Sequence, residues 1–277
     1  MFAKYLPNRL MKIVSSFLQN YEISRIGIFA LFFICGLSLT LVISACSANN
    51  TGNSVATQTA NQGVVVRIGY QKAATILSAL KNRGNLAQTL TTAGASVTWA
   101  EFPAGPPMLE AMNAGSIDFG YTGESPPIFA QAGGTPLLYV AYDPWGPKAE
   151  AIIVPKDSPI KTVADLKGKK VAFAKGSNTN YLVVKAVEAA GLKYSDIQPA
   201  HLTPADARAA FTGGNVDAWA IWDPYLAAVE HDTKVRTLTD ATNLAPNRGY
   251  YPGRPHHVNK RIVFSISSQI VALIVAY

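Results

Sequence analysis

At 277 residues the chain has room for one large domain or two of ordinary size, with core enough for either. Its formal net charge of +7 includes +3 from the first 45 residues (four basic, one acidic), so the remainder carries +4. That excess is scattered, without Lys/Arg stripes or interleaved aromatics, and leaves no footprint for nucleic acid.

The first stretch carries Lys4, Arg9, Lys12 and Arg25, then an apolar run over 26–43 that ends Ile43-Ser44-Ala45-Cys46-Ser47. A basic segment, an apolar segment and small residues before a cleavage point predict an export signal over 1–45. The ending resembles a bacterial lipobox, in which Cys46 becomes the lipidated first residue of the mature protein. A transmembrane anchor is the alternative, because the run nears the length that spans a bilayer. The polar stretch directly after Cys46 favours the lipid. That stretch, completing a segment of 46–63, is rich in Ser, Asn, Thr, Gln and Gly and has no charge, so it reads as a flexible tether. Cys35 falls in the leader and Cys46 would carry the lipid, so no disulfide and no cysteine-based metal site is left to the mature domain.

From residue 64 the pattern alternates. A strand over 64–70 leads through Gln71-Lys72 to a helix over 75–81, and a strand over 97–99 leads to a helix over 108–113 that Gly115 closes. A short strand over 117–120 runs into Tyr121-Thr122-Gly123-Glu124-Ser125 and a helix over 128–132. Strands follow over 137–142 and 151–154, then a capped turn over 163–170. The stretch VAFAKGSNTNY, 171–181, reads as an apolar strand that breaks at Lys175-Gly176. It then presents Ser177, Asn178, Thr179 and Asn180 ahead of a helical run over 182–190. Small residues with side-chain oxygens at that junction suit an N-cap, and first-turn N–H groups suit an anion. A strand over 197–202, a helix opened by Thr203-Pro204, and a strand over 216–221 ending in Trp222-Asp223-Pro224-Tyr225 complete the series. Such alternation predicts an α/β fold with a mainly parallel sheet.

Two parts of the chain resemble each other. Residues 109–118 parallel 208–217 at an offset of 99: each is a helix, a closing Gly and a strand whose second residue is Asp, Asp118 or Asp217. Residues 66–72 likewise parallel 171–177. Two similar lobes facing across a cleft would place a ligand at the carboxyl ends of their strands, at Gln71, 122–125, 175–180 and 222–225.

Those loops carry no catalytic constellation. His201, His231, His256 and His257 lack metal-ligand spacing, and neither a nucleophile elbow nor a phosphate-cradling P-loop occurs. Asp118 and Asp217 sit where capping or turn closure is expected. The loops offer neutral donors beside Tyr121, Tyr181, Trp222 and Tyr225, with Lys72 and Lys175 as the formal positive charges nearby. That combination suits a small molecule with an oxyanion head and an organic tail.

At these residues the sequence resembles the aliphatic sulfonate-binding proteins of bacterial ABC importers. The resemblance is carried by RIGYQK at 67–72, EFPAGPPMLEAMNAGSIDFGYTGESPPIFAQAGG at 101–134, SPIKTVADLKGKKVAFAKGS at 158–177 and LTPADARAAFTGGNVDAWAIWDPY at 202–225. It implies a two-lobed periplasmic binding-protein fold of type II with a cleft between the lobes. Lobe I would span 64–150, lobe II 151–248, and 249–277 would be a second crossover and the start of a return to lobe I. Because the chain stops after 262–277, the first lobe is expected to be incomplete. The implied function is non-enzymatic, without a cofactor or metal: periplasmic capture of an alkanesulfonate and delivery to a membrane permease driven by a separate ATPase. Binders of nitrate, taurine or a pyrimidine-type thiamine precursor share part of the pattern, and a truncated remnant without transport is a further alternative. Implied ligand contacts are Gln71, Thr122, Gly123, Glu124, Ser177, Asn178, Thr179, Asn180, Trp222 and Asp223. Tyr121, Glu124 and Asn180 depart from the family's usual residues, which bears on tail selectivity.

Overall fold

The computed structural model describes residues 64–255 except Ala93 and Trp145, together with Ile266 and Ser268. The expected leader, Cys46, the tether, His256 and His257 lie outside the described residues. In chain order the elements are β1 (Val64–Tyr70), α1 (Thr75–Arg83), α2 (Asn85–Thr92), β2 (Ala95–Glu101), α3 (Gly105–Asn113), β3 (Phe119–Gly120), β4 (Thr122–Gly123), α4 (Ser125–Ala132) and β5 (Leu138–Pro144). There follow β6 (Glu150–Pro155), β7 (Lys170–Phe173), α5 (Asn178–Ala189), β8 (Gln198–His201), α6 (Pro204–Thr212), β9 (Ala218–Trp222), α7 (Tyr225–Asp232), β10 (Val235–Asp240) and β11 (Arg248–Gly253).

These strands form two sheets. In the first, β2 and β3 flank β1 in parallel, and β11 runs antiparallel between β5 on one side and β3 and β4 on the other. In the second, β8 and β9 flank β7 in parallel, β6 pairs antiparallel with β9, and β10 pairs antiparallel with β6. Each sheet therefore holds one parallel triplet, 2-1-3 and 8-7-9, built from the two stretches that resemble each other in sequence. The expectation of a mainly parallel sheet is corrected: β6, β10 and β11 join by antiparallel pairing, so both sheets are mixed. Strand direction depends on where the chain returns, which local periodicity does not encode.

Packing follows the two-residue period of the strands. On β6, Ala151 and Ile153 face one core while Ile152 and Val154 face another. On β9, Trp219 and Ile221 take the first side and Ala218 and Ala220 the second. The first side receives Ala207 and Phe211 of α6 and Leu226 and Val229 of α7, and the second receives Leu182, Val183, Ala186 and Val187 of α5. Buried on both faces, β6 and β9 read as near-continuous apolar runs, with Glu150 as the exception that opens β6.

The paired motifs close in the same way. At the end of α3, Gly115 N–H reaches Met112 C=O and Ser116 N–H reaches Ala111 C=O; at the end of α6, Gly214 N–H reaches Phe211 C=O and Asn215 N–H reaches Ala210 C=O. Both Gly115 and Gly214 have positive φ, 81° and 71°, the left-handed conformation that ends a helix most easily with glycine. Asp118 then accepts the Arg67 N–H at 3.0 Å, and Asp217 accepts the Lys170 N–H at 2.8 Å. The expected closing role of both aspartates is borne out.

Candidate functional site

The carboxyl ends of β1, β4, β7 and β9 converge, and between them lies a narrow pocket that opens to solvent, with about 310 Å³ of space outside the atoms when its open mouth is included. Gln71, Thr122, Gly123, Ser177, Asn178 and Trp222, all expected from the sequence, line it together with Glu150, Gly105, Tyr121 and Pro126.

Each polar side chain is placed by local geometry. Gln71 follows β1 and donates from Nε2 to the Tyr121 carbonyl at 2.9 Å, which leaves its amide oxygen free to accept. Thr122 is fully buried, and its hydroxyl has no hydrogen-bond partner among the described residues. Gly105 stands against that hydroxyl, where a Cβ would overlap it. Ser177 caps α5: its Oγ accepts the Asn180 N–H at 3.4 Å and donates to the Ala174 carbonyl at 2.6 Å. The α5 helix thus begins at Asn178 and not at residue 182, because the polar residues form its first turn. With Asn180 N–H on the cap and Tyr181 N–H on the Ser177 carbonyl, the N–H groups of Asn178 and Thr179 point out of the helix without an acceptor among the described residues. That is the donor arrangement an anion uses at a helix start.

Asn178 also bridges the two sheets. Its Oδ1 accepts the Ser125 N–H at the start of α4 at 3.1 Å, and its Nδ2 donates to Asn247 at 3.4 Å. Gly123 admits this crossing, since a Cβ there would overlap the Asn178 amide.

Four expected contacts are placed elsewhere than on the pocket wall. Glu124 accepts the backbone N–H groups of Asn247 and Arg248 at 3.3 and 3.2 Å, so it holds the crossover that leads into β11. Burial pushes its carboxyl upward, while those two N–H groups pull the other way. Thr179 is fully buried with its hydroxyl 2.9 Å from Ser177 Oγ. Asn180 Oδ1 accepts the Gly176 N–H at 3.0 Å and so ties down the loop before the helix. Asp223 accepts the Ala227 N–H at 3.1 Å, a first-turn contact on α7.

The aromatic residues divide similarly. Trp222 lines the pocket and packs edge-on to Tyr225, their ring centres 6.4 Å apart. Tyr121 is buried against Tyr251 at 5.1 Å, a core position more than a ligand cover, and Tyr181 faces a broader apolar hollow with Phe129, Tyr139 and Tyr250. Neither expected lysine lines the narrow pocket: Lys72 lies over the Tyr225 ring at 5.6 Å, and Lys175 is exposed.

Two residues escaped the sequence reading. Asn247 lies in a Pro-Asn-Arg stretch with no periodicity, and it matters only because the chain crosses back beside Asn178. Glu150 had a signal, a carboxylate at the head of an apolar run. Its side chain is fully buried, neither oxygen has a partner among the described residues, and burial together with Glu124 pushes its carboxyl up to about 8. No group of three or more His, Cys, Asp or Glu side chains that could hold a metal occurs among the described residues, nor does a helix long and apolar enough to cross a membrane.

Over 192 residues the chain is 55% identical to a protein of Escherichia coli strain K12 named for aliphatic sulfonate binding, covering 69% of this chain and 60% of that one. Against solved structures, it matches the alkanesulfonate-binding protein SsuA of Xanthomonas axonopodis pv. citri bound to MOPS with 44% identity and a TM-score of 0.72, covering 76% of this chain and 72% of that one. The periplasmic aliphatic sulphonate binding protein SsuA of Escherichia coli matches with 49% identity and a TM-score of 0.67, over 76% and 68% of the two chains. The chain thus spans about three-fifths of the length of its curated Escherichia coli relative, and the expected periplasmic binding-protein fold is borne out. The pattern that defines the NMT1/THI5-like family matches residues 91–251, and the chain belongs to that family.

Proposed function

We propose that the chain is the solute-binding component of an ABC importer, taking an alkanesulfonate into the narrow pocket and delivering it to a membrane permease with a separate ATPase. The observation that carries this reading is the pocket's donor set. The second N–H of the Gln71 amide, the Thr122 hydroxyl, the Asn178 amide and the open N–H groups at the start of α5 supply neutral donors, and among the described residues no Lys, Arg or His lines the wall. A strong-acid head group that stays ionised is held by such dipoles without a salt bridge, and is released without breaking one. Trp222 supplies an apolar surface beside the head group. Sulfonate binding is also what these relatives are named for.

In this reading the protein works in the periplasm, held to the membrane by a lipid on Cys46, which lies outside the described residues. Calorimetric titration of the full chain with ethanesulfonate, taurine, nitrate and sulfate tests the ligand. Heat of binding with the sulfonates and none with nitrate is the expected result. No heat with either sulfonate overturns the proposal.

A further inference from the structure

Glu150 opens β6 opposite Trp222 in the ladder and lines the narrow pocket beside Gln71, Ser177 and Asn178. Its side chain has no solvent exposure, and neither carboxyl oxygen meets a hydrogen-bond partner among the described residues. An ionised carboxylate left unpaired in a protein interior is strongly disfavoured, and such a group takes up a proton instead. Among the described residues nothing on the pocket wall offsets that cost, since none of those that line it is cationic. An oxyanion entering here would meet a second negative charge if Glu150 were ionised. As the neutral acid, Glu150 has an O–H to donate.

We infer that Glu150 binds the ligand as a protonated carboxyl, donating its O–H to an oxygen of the sulfonate head group, so that the anion is held only together with one proton on the protein. This rests on the sulfonate reading above. Burial, with Glu124 adding to it, holds the carboxyl near 8 before any ligand arrives. The sign follows: below that value the donor is in place, and above it the proton must be recovered from solvent for binding to occur. Because only the protonated fraction is competent, affinity falls about tenfold for each pH unit above about 8.

The other charged or titratable groups around Glu150 leave the assignment to it. Tyr121, from between β3 and β4, has its phenol pushed well up by burial and stays neutral in this range. Glu124, at the start of α4, is occupied by the Asn247 and Arg248 N–H groups. Asp223, beyond β9, is turned to α7, and Lys148 lies exposed in the turn before β6. Arg248 opens β11 beside Glu124 and lowers that carboxyl.

The test titrates the full chain with ethanesulfonate from pH 6 to pH 10, and repeats the pH 9 titration in two buffers of different ionisation enthalpy. The expected affinity is flat to about pH 7 and about tenfold weaker per unit above 8, with nearly one proton taken up per ligand at pH 9. In Glu150→Gln, which keeps a donor in place of the acid, the profile is flat throughout. A flat wild-type profile with equal heats in the two buffers overturns the proposal, and needs no variant to fold. So does a Glu150→Gln profile as steep as wild type. Loss of taurine but not ethanesulfonate binding in Glu150→Gln would show an ionised Glu150 accepting from an ammonium, which also overturns it. Absence of sulfonate heat at pH 6 overturns the sulfonate reading itself.

Discussion

The β1–β3 and β7–β9 triplets share one backbone device and load it differently. In both, an Asp after the αL glycine accepts the N–H of a residue on the central strand and returns its own N–H to that residue's carbonyl, Asp118 with Arg67 and Asp217 with Lys170. Asp118 is buried, and it also receives the Arg67 guanidinium at 2.8 and 2.6 Å, with Arg254 at 3.8 Å. Asp217 is exposed and holds the backbone N–H alone among the bonds seen. The similarity at an offset of 99 thus encodes the closure, while the neighbouring side chains decide how much stability it carries. Asp118→Ala is expected to cost about 2–3 kcal/mol, because it removes two charge-assisted bonds as well as the backbone one. Asp217→Ala should cost about 1 kcal/mol for its single bond. Urea unfolding of the two variants measures the difference, and equal losses would show that the Arg67 pair adds nothing to the shared device.

The ligand ends of the triplets diverge further. The α5 start keeps the Asn178 and Thr179 N–H groups open, whereas α4 begins Ser125-Pro126-Pro127. Two of its first-turn residues have no N–H, and the third is taken by Asn178 Oδ1. One half therefore presents backbone and the other side chains, Gln71 and Thr122. Asn178 joins the halves, and Gly123 is the position that lets it pass. Gly123→Ala would place a methyl against the Asn178 amide and cost about 2 kcal/mol, which corresponds to roughly 30-fold weaker ethanesulfonate binding by calorimetry. Unchanged affinity would mean that the crossing seen between Asn178 and α4 is absent from the ligand-bound state.

What the sequence made legible follows the same division. Strand ends and helix caps are local, so Gln71, Thr122, Gly123, Ser177, Asn178 and Trp222 could be picked out and do meet at one pocket. Glu124, Thr179, Asn180 and Asp223 belong to the same loops, but whether such a side chain turns to a ligand or to a nearby backbone N–H depends on bonds as short as Asp223 to Ala227. The α2 helix leaves little trace in the sequence because NLAQTLTT buries only Leu86 and Leu90, a four-residue spacing among threonines that gives little periodicity. α7 and β10 leave as little trace, their signals reduced to Leu226 and Val229 in one and a half-buried strand in the other. Glu150 and Asn247 acquire meaning only through antiparallel pairing and the crossover, which bring together residues far apart in the chain.

The finest division lies inside the loop that precedes α5. Lys175 carries a full charge but is exposed, so solvent and salt screen its effect on a ligand in the pocket. Asn180 is neutral, yet its Oδ1 holds the Gly176 N–H at 3.0 Å and keeps the loop in the left-handed turn, φ 70°, from which Ser177 reaches its capping position. Loss of that bond loosens the cap and the two open N–H groups beyond it. Asn180→Ala is therefore expected to weaken ethanesulfonate binding about fivefold, equivalent to about 1 kcal/mol for one hydrogen bond. Lys175→Ala should change it by less than about twofold, and added salt should erase even that. Titration of both variants at low and high salt decides the matter. A larger loss in Lys175→Ala would mean that charge, and not oriented dipoles, holds the anion at this end of the pocket.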